Sequence, residues 1–119
     1  ASHRKAMKKP LPPEAARANL AGILQAAEEA GVAVLLIGME APLNYGPDYK
    51  AAFDAIYPDL SAEFGTLYAA SFLAPITAAP DLRVLMQADG IHPNAAGVAQ
   101  IVDALGPEVE ALIARVGQP

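Results

Sequence analysis

At 119 residues the chain allows one domain with a modest core, and 54% hydrophobic against 18% charged residues argues against a disordered one. The formal charge of −5 is unevenly spread: Arg4, Lys5, Lys8 and Lys9, half of the eight basic residues, precede the first acid at Glu14. The acidic body offers no electrostatic footprint for nucleic acid, and a chain without cysteine has neither a disulfide framework nor a thiolate metal site.

Residues 1–9 show no hydrophobic period, and Pro10, Pro12 and Pro13 then stiffen the backbone. Residues 1–11 therefore read as a lead-in or tag-like segment ahead of a domain over 12–119. The segment is basic but lacks the apolar stretch of a secretory signal, so no export address is expected within it. Pro13 followed by Glu14 suits a helix start, with proline in the first turn and an acid near the positive end of the dipole. Leu20, Ile23, Leu24 and Ala27 fall at helical spacing and Gly31 can cap the end, which predicts a helix over 13–30. The run Val32-Ala33-Val34-Leu35-Leu36-Ile37 has no polar alternation, as befits a strand covered on both faces in a parallel sheet. It is the longest such run and far too short to span a membrane. Two prolines, Asn44 and Gly46 make residues 41–47 a loop at the C-terminal end of that strand, the edge where open parallel sheets bind ligands.

Tyr49, Phe53, Ile56, Leu60 and Phe64 mark a second amphipathic helix, which Pro58 should kink near Tyr57 and Gly65 should close. Residues 66–70 form a second short strand, and 72–88, broken by Pro75 and Pro80, an irregular or briefly helical stretch. Asn94 can cap a helix to about Leu105, and Pro107 can open a last one with Val109, Leu112, Ile113 and Val116 on one face. Helices alternating with strands predict an α/β fold with a parallel sheet, here of only about two strands.

Chemistry is most legible in Asp89-Gly90-Ile91-His92-Pro93-Asn94, which holds the one interior histidine. A turn set by Gly90 and Pro93 lets the Asp89 carboxylate curl back onto Nδ1 of His92, leaving Nε2 free as a base. A serine hydrolase needs this pairing, because the carboxylate fixes the tautomer and stabilises the imidazolium formed when the ring takes a hydroxyl proton. The bland alternative is a polar loop between strand and helix, with Asp-Gly as an ordinary turn and Asn94 as an ordinary cap. The serines are Ser2, Ser61 and Ser71. Ser71, after the second strand, sits best for a surrogate nucleophile, although a loop hydroxyl bonding local backbone is its commoner fate. His3 beside Ser2 reads as a tag residue, and two histidines without clustered carboxylates predict no metal site.

The Asp89-Gly90-Ile91-His92-Pro93-Asn94 block resembles the last block of the SGNH (GDSL-type) hydrolases, on the thioesterase I, lysophospholipase L1 and arylesterase branch. The loop Ala41-Pro42-Leu43-Asn44-Tyr45-Gly46 and the helical turn Ala55-Ile56-Tyr57-Pro58 add to the likeness in the expected order. The resemblance implies part of a three-layer α/β/α, flavodoxin-like fold and ester or thioester hydrolysis with no cofactor. It makes Asp89 and His92 the acid and base of a Ser-His-Asp triad and puts Asn44 and Tyr45 at the substrate, Tyr45 being equally a cover for loop backbone. The family's Gly-Asp-Ser, second-block glycine and Gly-x-Asn-Asp elements do not occur here, so the expectation is a truncated or engineered half-domain with little turnover of its own. The resembling enzymes are periplasmic or secreted. Loss of the strand that would flank the first one should leave an unpaired apolar edge, predicting a homodimer or higher oligomer joined through the strand from Val32 to Ile37.

Overall fold

A computed structural model describes residues 11–116; the expected lead-in, with Ser2 and His3, lies outside them but for Leu11. Helix α1 (Pro13–Glu29) starts with proline in its first turn and ends in a Schellman cap. Gly31 adopts φ +69°, its N–H donates to the Glu28 carbonyl at 3.1 Å, and the Val32 N–H reaches back to the Ala27 carbonyl at 2.9 Å. This cap explains why the first strand is shorter than its apolar run. Val32 is the last member of the helix cap, and β1 begins at Leu35 and ends at Ile37.

The chain then turns through one turn of 3-10 helix (Leu43–Tyr45) into α2 (Pro47–Phe64), which runs unbroken through Pro58. Gly65, in the left-handed region at φ 65°, closes α2. Ser61, buried beneath that end, accepts the Thr66 hydroxyl at 2.8 Å and so ties the helix to the next strand. Strand β2 (Leu67–Ala69) pairs in parallel with β1, setting Leu35 beside Leu67, Leu36 beside Tyr68 and Ile37 beside Ala69. Leu24 of α1, Leu36 of β1, and Ile56 and Leu60 of α2 form the core, with Tyr68 packed against it. The alternation of a strand then turns Leu35, Ile37, Leu67 and Ala69 to the opposite face.

After β2 come the single-turn α3 (Ala74–Thr77), a 3-10 turn (Leu82–Val84) and α4 (Ala95–Arg115), which lies against both strands. The parallel α/β expectation therefore holds, with two strands and four helices. Besides the shorter β1, two details depart from the sequence reading. Pro107 does not divide the last helix. The residue before it is Gly106, whose missing Cβ removes part of the clash that normally drives the pre-proline position out of helical conformation. Ile23 is also not a core residue: it is 65% exposed, because α1 buries only the narrower face through Leu24. The outer stripe of α4 (Val98, Val102, Val109, Ile113) is exposed as well. No described helix is long and apolar enough to cross a membrane.

Candidate active site

The loop between the 3-10 turn and α4 is built from hydrogen bonds to its own backbone. Gly90, at φ 70°, allows a tight turn in which its N–H donates to the Gln87 carbonyl at 2.9 Å. The chain doubles back so that the Gln87 N–H meets the His92 carbonyl at 2.7 Å and the Asn94 N–H meets the Leu85 carbonyl at 2.9 Å. Asn94 has two jobs. Its Oδ1 accepts from the Gly97 N–H at 2.9 Å, capping α4, while its Nδ2 donates to the carbonyls of Val84 at 3.0 Å and Met86 at 3.2 Å. The cap was legible in the sequence; the second job was not, because it needs the hairpin to be in place.

Asp89 sits at the tip. Its Oδ1 accepts the N–H groups of Ile91 at 2.9 Å and His92 at 3.1 Å, while Oδ2 meets His92 Nδ1 at 2.7 Å. The hydrogen bond to the His92 ring, helped by the two amides, lowers the Asp89 pKa to about 2, so the carboxylate is ionised across the physiological range. An ionised carboxylate accepts but cannot donate. The proton in that short contact therefore belongs to Nδ1, and the neutral imidazole presents its Nε2 lone pair outward. The His92 side chain is 67% exposed and Asp89 41%, so the base is reachable by a reacting group. The geometry expected from an aspartate three residues before a histidine is present.

Ser71 follows β2, and its Oγ accepts the Leu73 N–H at 3.1 Å, a local loop bond. Among the described residues no hydrogen bond joins it to His92. Asn44 and Tyr45 lie on the 3-10 turn after β1, where the Tyr45 ring packs 5.3 Å from that of Tyr49, and neither is hydrogen-bonded to Asp89 or His92. The structure thus brings Asp89 and His92 together and leaves Ser71 and the Asn44–Tyr45 pair on separate loops.

Two features of this end of the fold had no signal in the sequence reading. Asp54 Oδ1 accepts the Ala41 N–H at 2.8 Å, and Lys50 Nζ donates to the Ala41 carbonyl at 2.9 Å and to Asp54 Oδ2 at 2.8 Å. Burial alone would raise the Asp54 pKa, but the bonds from Lys50 and Ala41 outweigh it and hold the carboxyl below its usual value. The pair clamps the loop after β1 through both the N–H and the carbonyl of one residue, Ala41, and its only trace in the sequence is a Lys and an Asp four apart on a helix. The second feature is Gly97, where an added Cβ would collide with the Leu85 carbonyl oxygen, so α4 can approach the hairpin only through glycine.

No family model matches the chain. It is 36% identical over 95 residues to the esterase TesA of Pseudomonas aeruginosa, taking in 80% of this chain and 46% of that protein. It is 35% identical over 101 residues to thioesterase 1/protease 1/lysophospholipase L1 of Escherichia coli, taking in 85% of this chain and 47% of that one. Among solved structures, a crystal structure of TesA superposes with a TM-score of 0.68 at 35% identity, over 84% of this chain and 54% of that chain. The SGNH-hydrolase family esterase AlinE4 superposes with a TM-score of 0.59 at 39% identity, over 85% and 52%. The chain spans about half the length of the curated relatives it matches.

Proposed function

The chain belongs to the SGNH hydrolases, on the thioesterase and esterase side of that family, and from that membership we propose that Asp89 and His92 are the acid and base of a Ser-His-Asp site for acyl esters or thioesters. The observation that carries the reading is the 2.7 Å contact from His92 Nδ1 to an ionised Asp89. In this role His92 Nε2 takes the proton of an attacking hydroxyl lying about 2.6–3.2 Å away and later returns it to the leaving group. Asp89 keeps the ring in the productive tautomer and stabilises the imidazolium between those steps. Asn44 and Tyr45, at the C-terminal end of β1, are assigned to the substrate side.

The chain itself contains no Gly-Asp-Ser, and Ser71 spends its hydroxyl on local backbone. We therefore expect little or no hydrolysis of a short p-nitrophenyl ester by the chain alone. Robust turnover lost on His92→Ala would overturn that expectation, and loss on Ser71→Ala as well would identify Ser71 as the nucleophile. Independently of turnover, proton NMR should find a downfield Nδ1–H resonance of His92 that disappears in Asp89→Asn. Its absence in the unsubstituted chain would sink the acid–base assignment.

A second reading is that the chain works as a noncatalytic, self-associating unit, and one observation favours it. Among the described residues β1 has a strand on one side only, and Val32 ahead of it and Met39 beyond it are exposed, as is the outer stripe of α4. Two copies joined antiparallel along β1 would pair that edge. Light scattering should then give a dimer or larger species at micromolar concentration, and a stable monomer would remove this reading.

A further inference from the structure

A cavity of about 360 Å³ opens at the end of the sheet where β1 and β2 begin. That volume lies within the ~300–1,000 Å³ span of small-molecule sites. Its walls are the end of α1 with Glu28, the end of α2 with Phe64, and Arg115 in the last turn of α4, while Leu24 and Val34 supply apolar surface between them. Arg115 and the Asp89–His92 hairpin stand at opposite ends of α4, whose 21 residues make it about 30 Å long, so this cavity is remote from the candidate active site. Among the described residues, neither the Arg115 guanidinium nor the Glu28 carboxylate has an ion-pair or hydrogen-bond partner. The negative poles of the α1 and α2 dipoles add to Glu28 on its side of the cavity. A guest that is only an anion is repelled there, and one that is only a cation is repelled by Arg115. A guest that carries both charges, with an apolar remainder for Val34 and Phe64, meets every wall.

We propose that this cavity binds an apolar α-amino acid, with its carboxylate on Arg115, its ammonium group on Glu28 and its side chain against Val34 and Phe64. The guanidinium fork suits a carboxylate in two-point contact, and both charges of the guest are satisfied by residues that otherwise have no partner. Because Glu28 belongs to α1 and Arg115 to α4, a bound guest ties the last turn of α4 to the α1–α2 layer. The site therefore couples a small metabolite to the stability of the fold, and it does not depend on the hydrolase reading.

The test uses the full chain and reads binding directly. Leucine and phenylalanine are titrated while NMR follows the amide signals of Gly31, Val32, Gly65 and Thr66, and the urea midpoint is measured with and without each. Both amino acids should shift those signals and raise the midpoint. N-acetyl-leucine, which lacks the ammonium charge, and leucinamide, which lacks the carboxylate, should each bind about ten-fold more weakly, the worth of one charge-assisted hydrogen bond. Glycine, with nothing for the apolar wall, should also bind more weakly than leucine. Both charged residues are exposed, so their variants keep the fold. Arg115→Gln should erase the difference between leucine and leucinamide, and Glu28→Gln that between leucine and N-acetyl-leucine. No shift at Gly31 and Gly65 with millimolar leucine, equal affinity for leucine and its two blocked forms, or shifts centred on the Asp89 hairpin would overturn the assignment. The His92 Nδ1–H resonance is untouched by any of these results, so failure of this site and failure of the hydrolase reading are told apart.

Discussion

The hairpin from Val84 to Gly97 and the strand pair of β1 and β2 lie in one small fold but are held by different forces. The hairpin is exposed at its tip, from Gln87 to His92, and is fixed by hydrogen bonds between residues no more than ten apart, such as the Asn94 amide on the Val84 carbonyl. The strand pair is three residues long on each side and joins residues 32 apart in sequence, Leu35 to Leu67, over a core of a few buried side chains. One region is specified by directional bonds between residues close in sequence. The other depends on apolar surface being covered, and the α4 stripe beside it is not.

If that contrast is right, the largest loss of stability comes from the apolar region. Ile56 is 1% exposed and touches the core formed by Leu24, Leu36 and Leu60. Ile56→Ala should cost about 3–4 kcal/mol, from lost transfer energy and the cavity left behind. In a domain this small that is a large part of the total, so the urea midpoint should collapse and the whole amide spectrum with it. A midpoint shifted by only a few tenths of a molar would mean that the strand pair is not held by its core.

The next effect sharpens the comparison from the other side. Asn94→Ala removes the cap on Gly97 and both carbonyl bonds at once, a loss of about 2 kcal/mol for a cap with partly buried partners. The loss should be local. Hydrogen exchange should accelerate through residues 84–97 and at the start of α4, while amides of β1 and β2 keep their protection. Matching acceleration in both regions would show that the hairpin and the strand pair unfold as one unit.

How much was legible in the sequence follows the same division. The Asp89–His92 contact, the Asn94 cap and the glycine ends of α1 and α2 all act over a few residues, and each was readable from residue type and spacing. The start of β1 was misjudged because Val32 looks like strand until the Schellman bond to Ala27 claims it. The break expected at Pro107 failed because Gly106 relieves the helix locally. Ile23 matched the helical period yet is exposed, since periodicity says which residues share a face but not how much of it a neighbour covers. The Lys50–Asp54 clamp, the approach at Gly97 and the cavity lined by Glu28 and Arg115 require elements distant in the chain to meet, and no local pattern encodes that.

The smallest expected effect is the one that isolates the site. Asp89 has its folded-state pKa lowered to about 2 by His92 and two amides, whereas an unperturbed aspartate titrates near ~3.9. A depressed carboxylate pKa means that its contribution to the hairpin is fully present above the unfolded value and is lost as pH falls through the folded one. The amide signals of Ile91 and His92, which report the Oδ1 bonds, should therefore hold steady down to about pH 4 and move between roughly pH 4 and 2. Asp89→Asn keeps an oxygen for those amides but carries no charge to titrate or to hold the imidazole, so the pH 4 to 2 transition should vanish while the urea midpoint hardly changes. At neutral pH the variant should retain the hairpin and the core yet lose the fixed orientation of the His92 ring, visible as rotamer averaging of its Hδ2 and Hε1 signals. A variant whose ring stays fixed, or whose core loosens, would place the restraint on His92 somewhere other than the carboxylate three residues before it.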